Sequence, residues 1–532
     1  MHINKVVVEN YRCLRRATVS LNSQLNILVG NNECGKSTFL EAIHLALSGH
    51  LNGRPIQLEL HPYLFNAVAV KEYIDGVAAG QHVAPPSILI ELYLADDPAL
   101  AKLKGTINSF KEDTPGIRLS IELNGDFAEE FQAYIADPTQ IRTLPIEYYA
   151  MRWRSFADND VMARVIPVKS SFIDASAMRS NSAANRYVVD ILKEGLTTRQ
   201  CIDLALSYRT MKDKFLSEDR VTSINTALKD KKGVISNKTL SVSLDTSSRT
   251  SWETGVMPQL DEVPLTLVGK GEQNCVKIKL ALESSSESHL VLIEEPENHL
   301  SHSNLNELIG QISERRGDRQ LIITTHSSFV LNKLGVESVL LFNRGSSATL
   351  RDLKEETYKY FLKLPGYDTL RLILSERSIL VEGPSDELIV QRAFEMKHGK
   401  LPLQAGVDVI AVNSLAFKRF LEIANLLKRT VDVVTDNDGD LAALHAKYAD
   451  YAGHPTIHVH YDEDEDKLAK TLEPQLVKAN GRDKVNQILG KAYATDDDLL
   501  KFMAANKTEC ALRFFETPMA WEVPEYMRRA VG

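Results

Sequence analysis

The sequence predicts an α/β protein, and three patterns along its 532 residues carry that prediction. Residues 26–30 form a short apolar run that enters a glycine-rich loop, and apolar residues at helical spacing follow. Residues 289–295 and 320–326 are apolar runs separated by a helical stretch, which is typical of a parallel sheet. Residues 378–383 and 432–438 repeat the strand pattern nearer the carboxyl end. We therefore expect two α/β units in one chain.

Composition limits the class of protein. At about 100–200 residues per domain, the length predicts two to four domains. A net charge of −9 gives no global attraction to nucleic acid, so a nucleic-acid partner would need a local basic face. The five cysteines include no CxxC pair, which argues against a disulfide scaffold and a zinc site. No apolar run approaches the roughly 18 residues of a membrane helix, so we expect a cytoplasmic protein without membrane contact.

The stretch "GNNECGKST" predicts a phosphate-binding loop. Gly30, Gly35, Lys36 and Ser37 satisfy the pattern GxxxxGK[ST] between a strand and a helix, where backbone N–H groups can surround a phosphate. Lys36 would bridge the terminal phosphates, and the Ser37 hydroxyl would complete a magnesium shell. The alternative is a glycine turn that merely precedes a helix. The predicted ATP-contacting residues of this loop are Asn31, Asn32, Gly35, Lys36, Ser37 and Thr38.

Two acids end the apolar strand at residues 289–295. Neighbouring residues of a strand point to opposite faces, so we expect Glu294 to hold magnesium and Glu295 to polarise the attacking water. His326 ends the next strand and could reach the γ-phosphate. A solvated strand edge and a structural loop histidine are the alternatives. Residues 269–273, "GKGEQ", lie just before a predicted helix and about 20 residues ahead of the acids.

This order of loop, glycine turn, acidic strand and histidine loop resembles the ABC-type ATPases of the RecF and SMC kind. The opening Asn10-Tyr11-Arg12 is similar to the first strands of that family. The resemblance implies that two heads enclose ATP, each giving its turn to the nucleotide of the other, and hence a homodimer, with a tetramer left open. Lys270, Gly271 and Gln273 would then contact nucleotide, although Lys270 stands where the family signature has serine.

A second set of acids lies in the carboxy-terminal third. Glu382 follows a strand, Asp386 lies at the start of a helix, and Asp436 and Asp438 follow another strand about 50 residues later. Such carboxylates supply the hard oxygen ligands that magnesium and manganese prefer, and i, i+2 residues face one side of an extended chain. The alternative is a turn with incidental acids. Together the residues resemble a Toprim domain, the metal-binding unit of topoisomerases, DnaG-type primases and certain nucleases.

An ABC-type head followed by a Toprim domain resembles the OLD (overcoming lysogenisation defect) family of bacterial and phage nucleases, over nearly the whole chain. The resemblance implies an ATPase of residues 1–174 and 236–365, a helical dimerisation insert at 175–235, and a Toprim domain at 366–532. It also implies a further acid, Glu473, and a late lysine ahead of the last helix, Lys507; each could instead be an ordinary surface residue. We interpret "HVHYDEDEDK", residues 458–467, as a solvated acidic loop, with a second metal cluster as the alternative.

The function that the resemblance implies is an ATP-hydrolysing, metal-dependent DNA endonuclease. Two Mg²⁺ or Mn²⁺ ions about 4 Å apart would activate water and steady the leaving oxygen, and a further ion would accompany ATP. Lys507 would balance charge on the phosphate. The residues expected to be catalytic are Glu295, His326, Glu382, Asp436 and Lys507. The expected metal ligands are Ser37, Glu294, Glu382, Asp386, Asp436, Asp438 and Glu473.

The main alternative is an ATP-switched DNA clamp or repair scaffold whose Toprim domain does not cut. A topoisomerase is discounted because none of the 17 tyrosines has a recognisable catalytic setting, and a primase because the cysteines form no zinc module. The family resemblance implies antiphage defence. Relatives act alone, beside a helicase-like partner as in a Gabija-like pair, or as the effector of a retron with a reverse transcriptase and its DNA–RNA product.

Overall fold

The computed structural model describes most of the chain. The described residues are 1–31, 34–137, 141–163, 166–174, 196–230, 238–244, 252–284, 289–315, 317–334, 338–343, 346–349, 352–363, 367–412, 416–464 and 470–532. The boundaries predicted near residues 175, 235 and 365 fall outside these ranges. So does much of the predicted insert, namely residues 175–195 and 231–235.

The chain divides into two compact units. The first unit comprises Met1–Ile27 and Ser37–Thr325, and the second comprises Leu28–Lys36 and His326–Gly532. The division passes through the strand and loop that precede the first helix.

The strands of the first unit form two main sheets. They are β1 (Ile3–Tyr11), β2 (Leu14–Ser20), β3 (Leu25–Val29, its last two residues in the second unit), β4 (His50–Leu51), β5 (Arg54–Pro55), β6 (Ile88–Leu94), β7 (Lys104–Gly105), β8 (Thr114–Leu123), β9 (Tyr149–Ser155), β10 (Ser170–Asp174), β11 (Gln259–Leu260), β12 (Val263–Pro264), β13 (Leu290–Glu294) and β14 (Gln320–Thr324). An antiparallel sheet has the order β2-β1-β6-β8-β7, with β9 also paired to β8. In the other sheet β10, β13, β14 and β3 are neighbours, and β13 pairs in parallel with both β10 and β14.

The helices of the first unit follow the apolar spacing of the sequence. They are α1 (Lys36–Ser48), α2 (Ile56–Glu59), α3 (Ala67–Ala78), α4 (Ala128–Ile135), α5 (Thr198–Ser217), α6 (Asp219–Lys229), α7 (Trp252–Gly255), α8 (Lys270–Ser284) and α9 (His302–Arg315). In α1 the residues Phe39, Leu40 and Ile43 are fully buried because helical spacing places them on one face. α5 begins at a capping box of Thr197 and Gln200, which satisfies backbone N–H groups at its start.

The second unit contains a four-stranded parallel sheet. The strands of the second unit are β15 (Val339–Asn343), β16 (Ser346–Thr349), β17 (Arg377–Val381), β18 (Val407–Ala411), β19 (Thr430–Val434) and β20 (Ile457–His460). The sheet order is β18-β17-β19-β20, and every pairing in it is parallel. β15 and β16 form an antiparallel pair beside the end of β3.

The second unit also contains eleven α-helices among its described residues. They are α10 (Ser328–Leu334), α11 (Glu355–Lys363), α12 (Tyr367–Leu374), α13 (Pro384–His398), α14 (Phe417–Leu426), α15 (Leu441–Tyr448), α16 (Leu472–Asn480), α17 (Arg482–Leu489), α18 (Asp496–Ala505), α19 (Lys507–Glu516) and α20 (Glu525–Ala530). Ile379, Val434, Ile389, Leu476 and Phe514 belong to one buried cluster, so sheet and helices share a core. Among the described residues no helix has the length and apolar content that a bilayer crossing demands.

The expectation of parallel strands is confirmed in the first unit. β13 and β14 lie within the apolar runs predicted at 289–295 and 320–326, and they pair in parallel. β17 and β19 overlap the strands predicted at 378–383 and 432–438, and they also pair in parallel. Because the carboxyl ends of parallel neighbours share one sheet edge, residues that follow β17 and β19 start close together.

We expect Gly116→Ala to destabilise the first unit. The Phe156 ring is fully buried against Gly116, and an added Cβ would lie 2.0 Å from a ring carbon. Overpacking of this kind costs roughly 1–3 kcal/mol, so the melting temperature should fall. Differential scanning fluorimetry measures it. Gly125→Ala is the control, because nothing lies within 4 Å of its added Cβ; equal melting temperatures for the two variants would contradict the packing argument.

Candidate functional site

In the predicted phosphate-binding loop, the lysine side chain bonds to carbonyl oxygens of the loop itself. Lys36 is the first residue of α1 and is 5% exposed. Its ammonium donates to the carbonyl oxygens of Gly30, at 3.0 Å, and Asn31, at 2.9 Å. An ammonium binds an anionic oxygen more strongly than a carbonyl, so a phosphate can replace these contacts. Gly35 has φ 101°, a conformation that favours glycine.

The other residues of the loop differ in exposure. Ser37 is exposed, while Thr38 is half-buried with its Oγ1 3.4 Å from the Sγ of Cys13. Asn32 lies outside the described residues. Gly30 approaches backbone so closely that an added Cβ would lie 2.1 Å from the carbonyl oxygen of Phe342. The backbone path of the loop therefore requires glycine at Gly30 and Gly35.

The two acids after the apolar strand lie in different backbone settings. Glu294 is the last residue of β13 and is buried. Glu295 has φ 43° and has left the strand; its N–H donates to the carbonyl oxygen of Thr324, and its Oε2 accepts from Asn298 Nδ2 at 2.8 Å. The predicted strand, residues 289–295, therefore ends at Glu294, and Glu295 lies in the turn that follows rather than in the strand. The positive φ of Glu295 sets the direction of its side chain, and the alternation of side chains along a strand gives no sign of such a turn. His326 is half-buried. It belongs to the second unit and directly follows Thr325, the last residue of the first unit.

The predicted glycine turn belongs to a helix. α8 begins at Lys270, so the turn is the first turn of the helix rather than a segment before it. Lys270 is exposed, but Gln273 is buried and its Nε2 donates to the carbonyl oxygen of Val268 at 2.7 Å. An added Cβ on Gly271 would lie 2.3 Å from the carbonyl oxygen of His299. The start of α8 thus packs on the turn that follows Glu295.

The acids of the second unit converge at the carboxyl edge of the parallel sheet. Glu382 follows β17, and its Oε1 accepts from Thr435 Oγ1 at 2.6 Å and from the N–H of Asp436 at 3.0 Å. Thr435 and Asp436 follow β19, the parallel neighbour of β17. These bonds join residues that are more than 50 positions apart and bring Glu382 directly beside the "DND" loop.

Two helix starts complete the cluster. Asp386 lies in the first turn of α13, where its Oδ2 accepts from the N–H of Gly383 at 3.2 Å. Glu473 lies in the first turn of α16 and is 5% exposed. The Lys507 ammonium lies 3.7 Å from Glu473 Oε2. Lys507 begins α19, and α20 follows, so the expectation that this lysine precedes the last helix is wrong.

The electrostatics of the cluster reflect buried like charges. Burial, together with the charges of Glu382 and Glu473, raises the pKa of Asp386 to about 7. Burial and the charges of Asp386, Glu382, Glu473 and Asp438 raise the pKa of Asp436 to about 9. The carboxylates are therefore close enough to destabilise one another's ionised forms. A cation placed among them would remove that cost.

The loop that carries Asp436 and Asp438 has a strained path. Asp438 has φ 50° and Gly439 has φ 79°, both in the left-handed region. The N–H of Asp438 donates to the carbonyl oxygen of Lys470 at 3.2 Å. The Lys470 side chain passes over Gly439, whose added Cβ would lie 2.7 Å from its Cε. A side chain at Gly439 would therefore displace Lys470.

Three residues around the acids are absent from the sequence-based prediction. Thr435 is buried and donates to Glu382, and Asn437 is buried between the two aspartates. The Tyr526 hydroxyl is buried without a hydrogen-bond partner, and burial with the nearby charge of Asp436 raises the pKa of Tyr526 well above its ordinary range. A polar residue next to a predicted ligand was a signal for Thr435 and Asn437. Nothing local indicates Tyr526.

The donor set suits a hard divalent cation. Five carboxylates, one threonine hydroxyl and one lysine gather at a sheet edge, and carboxylate oxygens are the ligands that Mg²⁺ and Mn²⁺ prefer. Within the described ranges, no three His, Cys, Asp or Glu side chains already have an arrangement that could hold an ion. The structure thus brings the predicted ligands together, and their final convergence on an ion requires side-chain adjustment.

Family models match three segments of the chain. Residues 1–127 match "AAA ATPase domain", and residues 217–332 match "AAA domain, putative AbiEii toxin, Type IV TA system". Residues 373–438 match "Overcoming lysogenization defect protein-like, TOPRIM domain". The last match contains Glu382, Asp386, Asp436 and Asp438. The predicted fold class, an α/β ATPase head followed by a Toprim domain, is confirmed by these matches.

Solved structures similar to the chain include three SMC heads. An SmcHead bound to the C-winged helix domain of ScpA is 11% identical with a TM-score of 0.34, covering 63% of this chain and 92% of its own. An SMC head domain from Thermotoga maritima is 13% identical with a TM-score of 0.30, and the match covers 65% of this chain and 98% of that domain. The third is a Smc head domain with an extended coiled coil, bound to the C-terminal domain of ScpA derived from Pyrococcus furiosus. It is 12% identical with a TM-score of 0.36, and the match covers 66% of this chain and 97% of that one. No curated protein sequence matches the chain.

We expect Lys36→Ala to weaken ATP binding. The substitution removes a charge-assisted bond to phosphate, worth about 1.5–3 kcal/mol, so the dissociation constant should rise by at least about tenfold. Titration with a fluorescent ATP analogue measures it. Lys279→Ala is the control, because Lys279 pairs with Glu307 on an exposed surface. Unchanged affinity in a folded Lys36→Ala protein would contradict the assignment of this loop.

Proposed function

This chain carries AAA ATPase domains followed by an OLD-like Toprim domain, the arrangement of an OLD family protein, and we propose that it is an ATP-dependent, divalent-metal-dependent DNA endonuclease. The observation that carries the proposal is the meeting of Glu382, Asp386, Asp436 and Glu473 at one edge of the parallel sheet. Carboxylates that lie together and are partly withdrawn from water are costly for a fold unless a cation binds among them.

The acids have distinct positions around the proposed metal site. Glu382 and Asp386 would hold one side, and Asp436, Asp438 and Glu473 the other. Divalent cations bound there would lower the pKa of water and stabilise an oxygen that leaves a phosphodiester. Thr435 fixes the Glu382 carboxylate by its hydroxyl, so that this ligand is oriented before a cation arrives.

Lys507 is the cation of the site that could act on the substrate. Its side chain is 55% exposed, whereas its partner Glu473 is 6% exposed. The ammonium therefore has one face toward the acids and another toward solvent, where a DNA backbone would approach. From that position Lys507 could balance the charge that builds on the phosphate during hydrolysis.

The ATPase unit would switch this chemistry. Lys36, Ser37 and Glu294 would bind Mg-ATP, with Glu295 polarising the attacking water and His326 near the γ-phosphate. The turn at Lys270, Gly271 and Gln273 would serve the nucleotide of a second copy, which implies a homodimer. Dimerisation would then break the hydrogen bond that Gln273 makes to its own loop.

Exposed apolar residues support self-association. In helices α5 and α6 the exposed large apolar side chains are Ile202, Leu204, Leu206, Met211, Phe215 and Ile224. An apolar set of this size on a polar helix pair is typical of a surface that another protein covers. These helices lie in the segment predicted as the dimerisation insert. Antiphage defence, alone or with a partner such as a retron reverse transcriptase, is the biological setting we propose.

A second candidate function is an ATP-switched DNA clamp whose Toprim domain binds metal but does not cut. It would use the same ATPase unit and the same gathered acids. Incubation of the purified protein with supercoiled plasmid and Mn²⁺, with and without ATP, separates the two. Nicked or linear plasmid supports the nuclease, and intact plasmid under both conditions supports the clamp.

We expect Asp436→Ala to abolish Mn²⁺-dependent plasmid nicking while ATP hydrolysis stays within about twofold of the unaltered protein. Loss of a metal ligand should lower the cleavage rate by at least about 100-fold. Gel assays of nicking and phosphate-release assays measure the two activities. Asp450→Ala, at an exposed position, is the control. Persistent metal-dependent nicking by the Asp436→Ala protein would refute the site.

We also expect nucleotide to change the nicking rate of the unaltered protein and to leave that of Lys36→Ala unchanged. The reason is that only the unaltered loop can convert ATP binding into head association. Nicking assays with and without ATP, beside light scattering for assembly, test this. Identical rates and masses for the unaltered protein in both conditions would contradict the switch.

A further inference from the structure

The acidic segment at residues 458–467 is not simply solvated. It is described as far as Asp464, and there its main chain contacts the loop of the predicted metal ligands. The Nδ2 of Asn437 donates to the carbonyl oxygens of Asp462, at 2.9 Å, and Asp464, at 2.7 Å. Asn437 lies between Asp436 and Asp438 and is 2% exposed. One side chain thus links the acidic segment to both aspartates.

Asn437 also fixes its own loop. Its Oδ1 accepts from the N–H of Gly439 at 3.0 Å, so both ends of the amide are used. The two residues that follow Asn437 both have positive φ. An aspartate in the left-handed region persists only where its surroundings enforce that conformation. The bonds of Asn437, together with the bond from the Asp438 N–H to the carbonyl oxygen of Lys470, enforce it here.

The acidic segment is held from its other side. Lys478 lies 3.4 Å from the Asp462 carboxylate and 3.1 Å from that of Asp464. The N–H of Asp464 donates to Asp462 Oδ1 at 2.9 Å. The carboxylates of Asp462 and Asp464 therefore face Lys478, while their carbonyls accept from Asn437. Elsewhere in the segment, Arg529 lies 3.8 Å from the Glu463 carboxylate and donates to the carbonyl oxygen of Tyr461. These contacts indicate that residues 462–464 hold the loop of Asp436 and Asp438 in place, and they do not indicate a second metal cluster.

We propose that Asn437 is a positioning residue that holds the Asp436 and Asp438 carboxylates ready for a divalent cation by joining their loop to residues 462–464. This inference rests on the proposed function, because it concerns the metal site of that function. The carboxylates around Asp436 repel one another before a cation binds. Without Asn437 the loop can relax away from the other acids, and the cation must then bring it back at a cost in affinity.

The test measures metal binding rather than cleavage. We expect full-length Asn437→Ser to bind Mn²⁺ about 10-fold or more weakly in calorimetric titrations, as for other residues that orient metal ligands. Serine keeps an oxygen that can accept from Gly439 N–H, but its single, shorter hydroxyl cannot replace the amide Nδ2 that donates to both carbonyls. Asn486→Ser is the matched control: Asn486 is also buried and also holds backbone, bonding the N–H and carbonyl oxygen of Tyr493 at 3.1 and 2.9 Å.

Selective weakening in Asn437→Ser, with similar melting temperatures for the two variants, supports the inference. Equal Mn²⁺ affinity in Asn437→Ser and the unaltered protein overturns it. If Asn437→Ser fails to fold, Lys478→Met replaces it. That variant removes a positive charge, which by electrostatics alone strengthens cation binding, so weaker binding supports a positioning role and unchanged or tighter binding overturns it.

The outcomes also separate this inference from the proposed function. An unaltered protein that binds no Mn²⁺ overturns both. An unaltered protein that binds Mn²⁺ but leaves plasmid intact overturns the nuclease, and the effect of Asn437 on metal affinity still decides the inference.

Discussion

The crowding of carboxylates in the second unit is the constraint on which its site depends. Buried like charges oppose folding, and the raised pKa values of Asp386 and Asp436 express that opposition. The fold tolerates the group because donors tie its members down: Thr435 for Glu382, the N–H of Gly383 for Asp386, and Lys507 for Glu473. Such an arrangement lowers the stability of the fold in the absence of a ligand and favours the binding of a cation, as is common at functional sites.

Sequence patterns predict the parts of this arrangement that are local. An apolar run followed by an acid places Glu382 and Asp436 at strand ends, and parallel pairing of β17 with β19 then makes those ends neighbours. The phosphate-binding loop is predicted equally well, since its glycines and lysine are contiguous. In both cases backbone geometry, not long-range packing, determines where the side chain lies.

The remaining features depend on contacts between distant segments or on backbone torsions. The bond from Thr435 to Glu382 and those from Asn437 to residues 462–464 connect segments that the sequence does not pair. The turn of Glu295 out of its strand needs a positive φ, which strand alternation does not encode. The buried Gln273 shows the same limit, because its type indicates a nucleotide contact while its amide bonds its own loop.

Charge balance favours the binding of divalent cations in the second unit. Glu382, Asp386, Asp436, Asp438 and Glu473 carry five negative charges when all are ionised, more than Lys507 and Lys470, the lysines beside them, can balance. Each divalent ion bound among these acids would neutralise two of their charges. Burial and the neighbouring carboxylates raise the pKa of Asp436 to about 9, so a proton on Asp436 and a divalent cation would compete for the same oxygens. The binding of ions and the release of protons are therefore linked, and Asn437 acts on both because it sets how closely the charges approach.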